Sequence, residues 1–242
     1  MNILSFFVII PLLMLGALWA ARNINQVRGV MVVGSSLLLA LSVYLTIDYL
    51  ALRQAGETAE MLYTASTSWY APLHICYSVG VDGISVAMLL VRSIIVFTGT
   101  FASWQLKPMT KEYFLWFTLL SAGVFGFFIS TDLFTMFMFY EVALIPMYLL
   151  IGVWGSGQKE YAAMKLTLML MGGSAFLLIG ILGIFYGAGG DTMNLLDIAQ
   201  RHIPTEMQEL FFPLIFLGFD TETTLFWIAF QFISTFNNGI FR

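Results

Sequence analysis

Ser130 to Gly155, STDLFTMFMFYEVALIPMYLLIGVWG, is the stretch on which the fold of this chain turns. From Leu133 to Trp154 it is a nearly continuous apolar run. At a rise of about 1.5 Å per residue, a helix of that length crosses a hydrocarbon core about 30 Å thick. The run still contains one carboxylate, Glu141, and one proline, Pro146. An acid in the middle of a spanning helix costs about 2.5–3.5 kcal/mol on insertion scales, so Glu141 is a candidate functional residue for which a partner must be found.

The rest of the chain agrees with a membrane reading. Hydrophobic residues make up 60% of the 242 and charged residues 10%, against about 25% charged in an ordinary soluble domain. Mean hydropathy is +0.88. The net charge of -4 is small and spread along the chain, with no basic patch, which argues against a nucleic-acid partner. One cysteine, Cys76, and two histidines, His74 and His202, are too few for an iron–sulfur, haem or zinc site within the chain. The N-terminal run MNILSFFVIIPLLMLGALWAARN has its cation, Arg22, after the apolar residues. It therefore reads as a retained first helix, not a cleaved signal peptide.

Further apolar spans fall at Ile3–Ala21, Val30–Leu50, Ile84–Trp104, Tyr113–Ser130, Ala162–Tyr186 and Leu210–Phe219, with another apolar piece from Leu225 to Phe236. The expected fold class is an all-α polytopic bundle of six or seven transmembrane helices. The runs are too long and too evenly apolar for barrel strands of about ten alternating residues. Arg22, Arg28, Lys107, Lys111, Lys159 and Lys165 flank the first, third and fifth connections, against Arg53 and Arg201 on the other side, so the N-terminus is expected outside. Nothing in the longer loops, Ala51–Gly83 and Gly187–Glu209, reads as a separate domain.

Several polar residues could carry chemistry. Glu141 lies about 12 Å from one end of its helix and about 20 Å from the other. In general, burial disfavours a charged carboxylate and a nearby cation favours it, so an acid at such depth can exchange protons. A buried structural acid satisfied by its neighbours is the alternative. Pro146 cannot donate to the carbonyl of Val142, one turn from the acid. Lys165, on the next helix, reads either as a relay joined to Glu141 through water or as a snorkelling lysine at the interface. Arg92 stands near the middle of its span with no acid close in sequence. Burial against Glu141 or another subunit would explain it, as would a lesion in the sequence. Asp132, after Ser130 and Thr131, reads as a helix cap, and Asp48 and Glu112 fall at expected helix ends. Gly172, Gly173, Gly180 and Gly183 suit close helix packing; they lack the preceding strand of a phosphate loop.

At Tyr77–Ser85 (YSVGVDGIS), Ser130–Gly155 and Lys159–Tyr186 (KEYAAMKLTLMLMGGSAFLLIGILGIFY), the sequence resembles the M (chain 4-type) antiporter-like subunit of proton-translocating NADH:quinone oxidoreductase, respiratory complex I. Subunits of cation/proton antiporter complexes are related to it. The resemblance implies the first half of a fold of about fourteen helices built from inverted repeats. It also implies a proton carrier at Glu141, a proton relay at Lys165, and structural roles for Pro146, Asp82 and Gly83. NADH, FMN, iron–sulfur clusters and quinone would be handled by partner subunits, with no cofactor in this chain. The implied partners are other membrane-arm subunits, especially neighbouring antiporter-like ones, and the bilayer of the inner (cytoplasmic) membrane.

Two departures accompany it. Arg92 falls where the family is uncharged, and Glu222 stands where the family has the lysine that switches its glutamate. Residues 1–219 are thus expected to form the antiporter-like N-terminal half and 220–242 a non-matching tail of a truncated or frameshifted product. The expected function is proton translocation coupled to electron transfer from NADH to quinone. The alternatives are a cation/proton antiporter subunit or an assembly protein left inactive.

Overall fold

The computed structural model describes residues 2–70, 75–104, 109–201 and 203–218. His74, Lys107, His202, Glu222 and the expected tail at 220–242 lie outside the described residues. After a 3-10 turn at Ile3–Ser5, the chain forms α1 (Phe6–Ala20), α2 (Ile24–Gln54), β1 (Leu62–Tyr70), β2 (Ile75–Val81), α3 (Gly83–Ala102), α4 (Thr110–Ile129), α5 (Leu133–Trp154), α6 (Lys159–Gly187) and α7 (Leu195–Ala199). Residues 205–218 form a further helix, α8. Among the described residues, six helices are long and apolar enough to cross a membrane: α1 with its leading turn, and α2 to α6.

Each boundary has a local cause. Gln26 Oε1 accepts from the backbone N–H groups of Arg22 (3.0 Å) and Asn23 (3.3 Å), which starts α2 well before its apolar run at Val30. At the other end Arg53 Nε donates to the Tyr49 hydroxyl (3.0 Å) and Nη1 to the Glu57 carbonyl (3.0 Å), carrying the helix on to Gln54. Asp48 is therefore not at a helix end, as the apolar pattern suggested. It lies inside α2 and accepts from the hydroxyl of Tyr63 on β1. Burial, and next the hydrogen bond to Asp48, push the Tyr63 phenol up to about 12, so it stays protonated as a donor at any physiological pH.

The described residues divide into two compact units, one within residues 2–150 with 193–196, the other within 151–192 with 197–218. In the first, α1 packs on α2 and α4, and α3 packs on α2 and α4. Phe7, Leu18, Met31, Leu38, Leu89 and Phe125 are fully buried there. α5 lies against α4 where α4 has no side chains: a Cβ built on Gly123 would sit 2.9 Å from the Phe139 carbonyl oxygen and 3.0 Å from the Ala143 Cβ. Because the first obstacle is backbone, Gly123→Ala should cost about 1–3 kcal/mol, read as a lower unfolding temperature in detergent.

The loop Ala51–Gly83 holds structure the sequence reading did not expect. β1 and β2 form an antiparallel hairpin with Ser66 opposite Ser78 and Leu62 opposite Val81. The two serine hydroxyls share a 2.8 Å hydrogen bond. Val81 leads directly into Asp82, whose carboxylate accepts from the Ser85 N–H at 2.7 Å and caps α3.

In the second unit, α6 carries glycines where α8 presses in. A Cβ on Gly180 would meet Ile215 and one on Gly183 would meet Phe211, while Gly218 of α8 faces Leu177 and the Gly173 carbonyl. The rising numbers on one helix meet falling numbers on the other, so the pair is antiparallel, and bare backbone lets it close. Gly172, by contrast, faces open space. Arg201 donates to the Ala188 carbonyl (2.6 Å) beyond the end of α6 and pairs with Asp191 (3.3 Å).

Candidate functional site: a lone acid in α5

α5 is fixed at its start by a buried carboxylate. Asp132 is 1% exposed. Its Oδ1 accepts from the Thr135 N–H (2.9 Å), the expected cap, and its Oδ2 accepts from the Cys76 N–H of β2 (3.2 Å). Thr135 Oγ1 returns a bond to the Cys76 carbonyl at 2.9 Å. On one side of this segment the Thr131 N–H donates to the Ser78 carbonyl; on the other, the Leu133 N–H donates to the Met193 carbonyl and the Leu195 N–H to the Thr131 carbonyl, each at 2.9 Å. The hairpin and residues 193–195 thus clamp the entry to α5. The second bond of Asp132 was invisible in the sequence because its donor lies 56 residues away.

From that anchor the helix runs through Tyr140, buried, to Glu141 and Pro146. Phe139 and Ala143 face α4. Glu141 is two residues from each, about 200° round the helix, so it stands on the face opposite α4. Met138, Ile145 and Tyr148, one to two turns away on that face, are exposed. Glu141 is half-buried. Its Oε1 is buried and has no hydrogen-bond partner among the described residues. Pro146 is itself buried, and its missing N–H leaves the Val142 carbonyl without its helical donor beside that face.

Arg92 does not meet Glu141. The two make no ion pair within 4.0 Å; Arg92 Nη2 instead donates to Ser121 Oγ on α4 at 3.3 Å, and its Nε is buried with no partner among the described residues. The reason is angular. Ser121 precedes Gly123 by two residues, which places it about 200° round α4 from the side that α5 occupies. Arg92 therefore sits across α4 from the acid. Replacing a part-buried charge that has no ion-pair partner by an apolar side chain of similar length removes its desolvation cost. Arg92→Met should accordingly keep or raise the unfolding temperature in detergent; a clear fall would mean that the guanidinium has a strong partner in the membrane.

Lys165 lies on α6 in the second unit and is exposed. Lys159, one and a half turns earlier, donates to the Val153 carbonyl (2.6 Å) at the end of α5. Asp82 is the α3 cap, and Gly83 lies against the Tyr49 hydroxyl. Among the described residues no group of three or more His, Cys, Asp or Glu side chains is placed to hold a metal ion.

A multi-pass helical membrane protein with a carboxylate in a spanning helix, one oxygen of which is buried without a partner among the described residues, is the class these features define. The comparisons narrow it. Residues 130–232 match the family described as NADH:quinone oxidoreductase/Mrp antiporter, TM. The chain is 30% identical over 172 residues to the NAD(P)H-quinone oxidoreductase chain 4 2 of Thermosynechococcus vestitus, covering 71% of this chain and 32% of that one. It is 36% identical over 148 residues to the chloroplastic chain 4 of Lemna minor, covering 60% and 29%. The chain spans about a third of the length of these curated relatives. The fold is that of a chain in respiratory complex I from Thermus thermophilus with bound NADH, with a TM-score of 0.74 at 21% identity over 90% of this chain and 42% of that one. A chain of the membrane-bound sulfane sulfur reductase, an archaeal respiratory membrane complex, matches with the same TM-score at 19% identity, covering 90% and 44%. Over the part they cover, the chain is similar in sequence to NAD(P)H-quinone oxidoreductase chain 4 proteins and shares the fold of chains in respiratory membrane complexes.

Proposed function

We propose that this chain is a membrane-arm subunit of an NADH:quinone oxidoreductase-type complex and contributes to proton translocation, with Glu141 as the proton carrier. The observation that carries the reading is the Glu141 carboxylate itself: ninth in a spanning helix, opposite the α4 contact, with one oxygen buried and unbonded. A carboxylate kept at that depth without a satisfying partner is costly as structure and useful as a proton acceptor. In this reading water enters beside the free Val142 carbonyl, Glu141 takes a proton, and Lys165 serves as the relay toward the side where lysines collect. The N-terminus faces outside, placing the Arg22, Arg28, Lys111 and Lys159 ends of the helices on the cytoplasmic side of the inner membrane. Redox chemistry on NADH, flavin, iron–sulfur clusters and quinone belongs to partner subunits, and neighbouring antiporter-like subunits are the nearest partners.

A second reading is favoured by the matched family description, which names antiporters beside the oxidoreductase: a subunit of a multi-subunit cation/proton antiporter. The two separate by company. Affinity purification of the tagged chain from its native membranes should bring down flavin- and iron–sulfur-containing subunits; recovery of antiporter subunits alone supports the second reading, and recovery of the chain alone would sink both.

A further inference from the structure

We propose that the groove between α1 and α2 is a binding site for one acyl chain of an anionic phospholipid whose phosphate is held by Arg22. The groove has a volume of about 560 Å³ and is lined by Ile10, Leu13, Met14 and Ala17 of α1 and by Gly29 and Val33, among others, of α2. Its wall is apolar except at Gln26, which lies at the mouth. The floor exists because Gly34 has no side chain: a Cβ there would overlap the Met14 thioether, so Met14 sinks inward and leaves a trough above it.

Length and charge select the occupant. Along α2 the lining runs from Gln26 to Leu37, about 16 Å at 1.5 Å per residue, which is about half of a 30 Å hydrocarbon core. A partner transmembrane helix would use the whole height of the face, whereas an acyl chain in one leaflet uses half. Trp19, 80% exposed near the same end of α1 but on the face turned away from the groove, marks that end as the membrane interface. Three described cations gather at this end, and two are already engaged. Lys111 donates to the Trp19 (2.9 Å) and Ala21 (2.7 Å) carbonyls. Arg28 donates to the Trp104 carbonyl (2.6 Å) and lies over the Trp104 ring. The Arg22 side chain is exposed and makes no ion pair among the described residues, so it is the one left to meet a headgroup phosphate.

The site can be tested by native mass spectrometry of the full chain in detergent, titrated with phosphatidylglycerol or phosphatidylcholine of equal chain length. The wild type should retain phosphatidylglycerol about fivefold more tightly, the scale of one cation at a membrane surface. Arg22→Gln should remove that preference, weakening phosphatidylglycerol more than phosphatidylcholine, whose choline cation already offsets part of the attraction between its phosphate and Arg22. A Cβ on Gly29 meets nothing within 4 Å, and leucine is a better helix former than glycine. Gly29→Leu should therefore fold, fill the groove and weaken both lipids about tenfold, the scale of about two methylene groups displaced from it. Equal lipid retention by Gly29→Leu, an undiminished preference in Arg22→Gln, or a second copy of the chain bound in place of lipid and lost on Gly29→Leu would each overturn the assignment.

Discussion

Glu141→Gln is expected to lower proton translocation by the assembled complex about a hundredfold along this chain's path, the scale on which removing a positioned proton-transfer group acts. The amount of chain in the membrane should stay unchanged. Glutamine keeps the shape of the side chain and its capacity for hydrogen bonds but cannot take up a proton and release it. It also relieves α5 of an acid that costs about 2.5–3.5 kcal/mol at mid-span, so folding should not suffer. Glu141→Asp retains a titrating group on the same face and should restore part of the translocation. Equal loss of assembly and translocation in Glu141→Gln would instead make the residue structural. The two outcomes are read from blot intensity and from proton uptake in inverted membrane vesicles.

The opposite pattern is expected at the residue that caps the start of the same helix. Asp132→Ala should destabilise the first unit by about 2–4 kcal/mol, because it removes an N-cap and a charge-assisted bond together. It leaves the N–H groups of Thr135 and Cys76 buried without acceptors. Asp132→Asn keeps one acceptor oxygen but turns an NH2 toward the other donor, so it should lose about half as much. The unfolding temperature in detergent measures both. A second sign should accompany the loss: the hairpin and residues 193–195 are tied to α5 through this segment, so protease cutting in the β1–β2 hairpin should rise. A variant as stable as the wild type would show that the clamp is held by backbone bonds alone.

The two acids, nine residues apart, illustrate how unevenly the sequence disclosed the molecule. Each spanning helix was legible because a bilayer demands a long apolar run and tolerates nothing else at that depth. Glu141 was legible for the same reason, as an exception to that rule. Asp132 was half legible: capping is local, and Ser-Thr-Asp before an apolar run announces it, but its bond to Cys76 depends on where the hairpin folds back. The hairpin itself was missed. β1 has one buried residue, Leu62, followed by exposed or half-exposed ones, so no alternation of apolar and polar side chains betrays it; the enrichment of Tyr, Thr, Val and Trp in Leu62–Val81 was the available signal. Asp48 was placed at a helix end because the apolar run stops at Leu50, whereas Tyr49, Arg53 and Glu57 extend α2 by polar contacts that hydropathy does not record.

Arg92 shows the remaining limit. Its span was plain, yet its partner depended on the angular placement of three helices. An ion pair with Glu141 was a reasonable expectation from charge alone, but the bare backbone at Gly123 brings α5 to one side of α4 while Ser121 receives Arg92 on the other. Small residues set which helices touch, and side-chain charge follows from that.

The central claim is that the Glu141 carboxyl gains and loses a proton as the complex works. Infrared difference spectroscopy of the energised complex, comparing wild type with Glu141→Gln, reads this directly through the carboxylic-acid C=O stretch. A band that appears on energisation in the wild type and is absent from the variant is the expected result. Identical difference spectra in the carboxylic-acid region would contradict it.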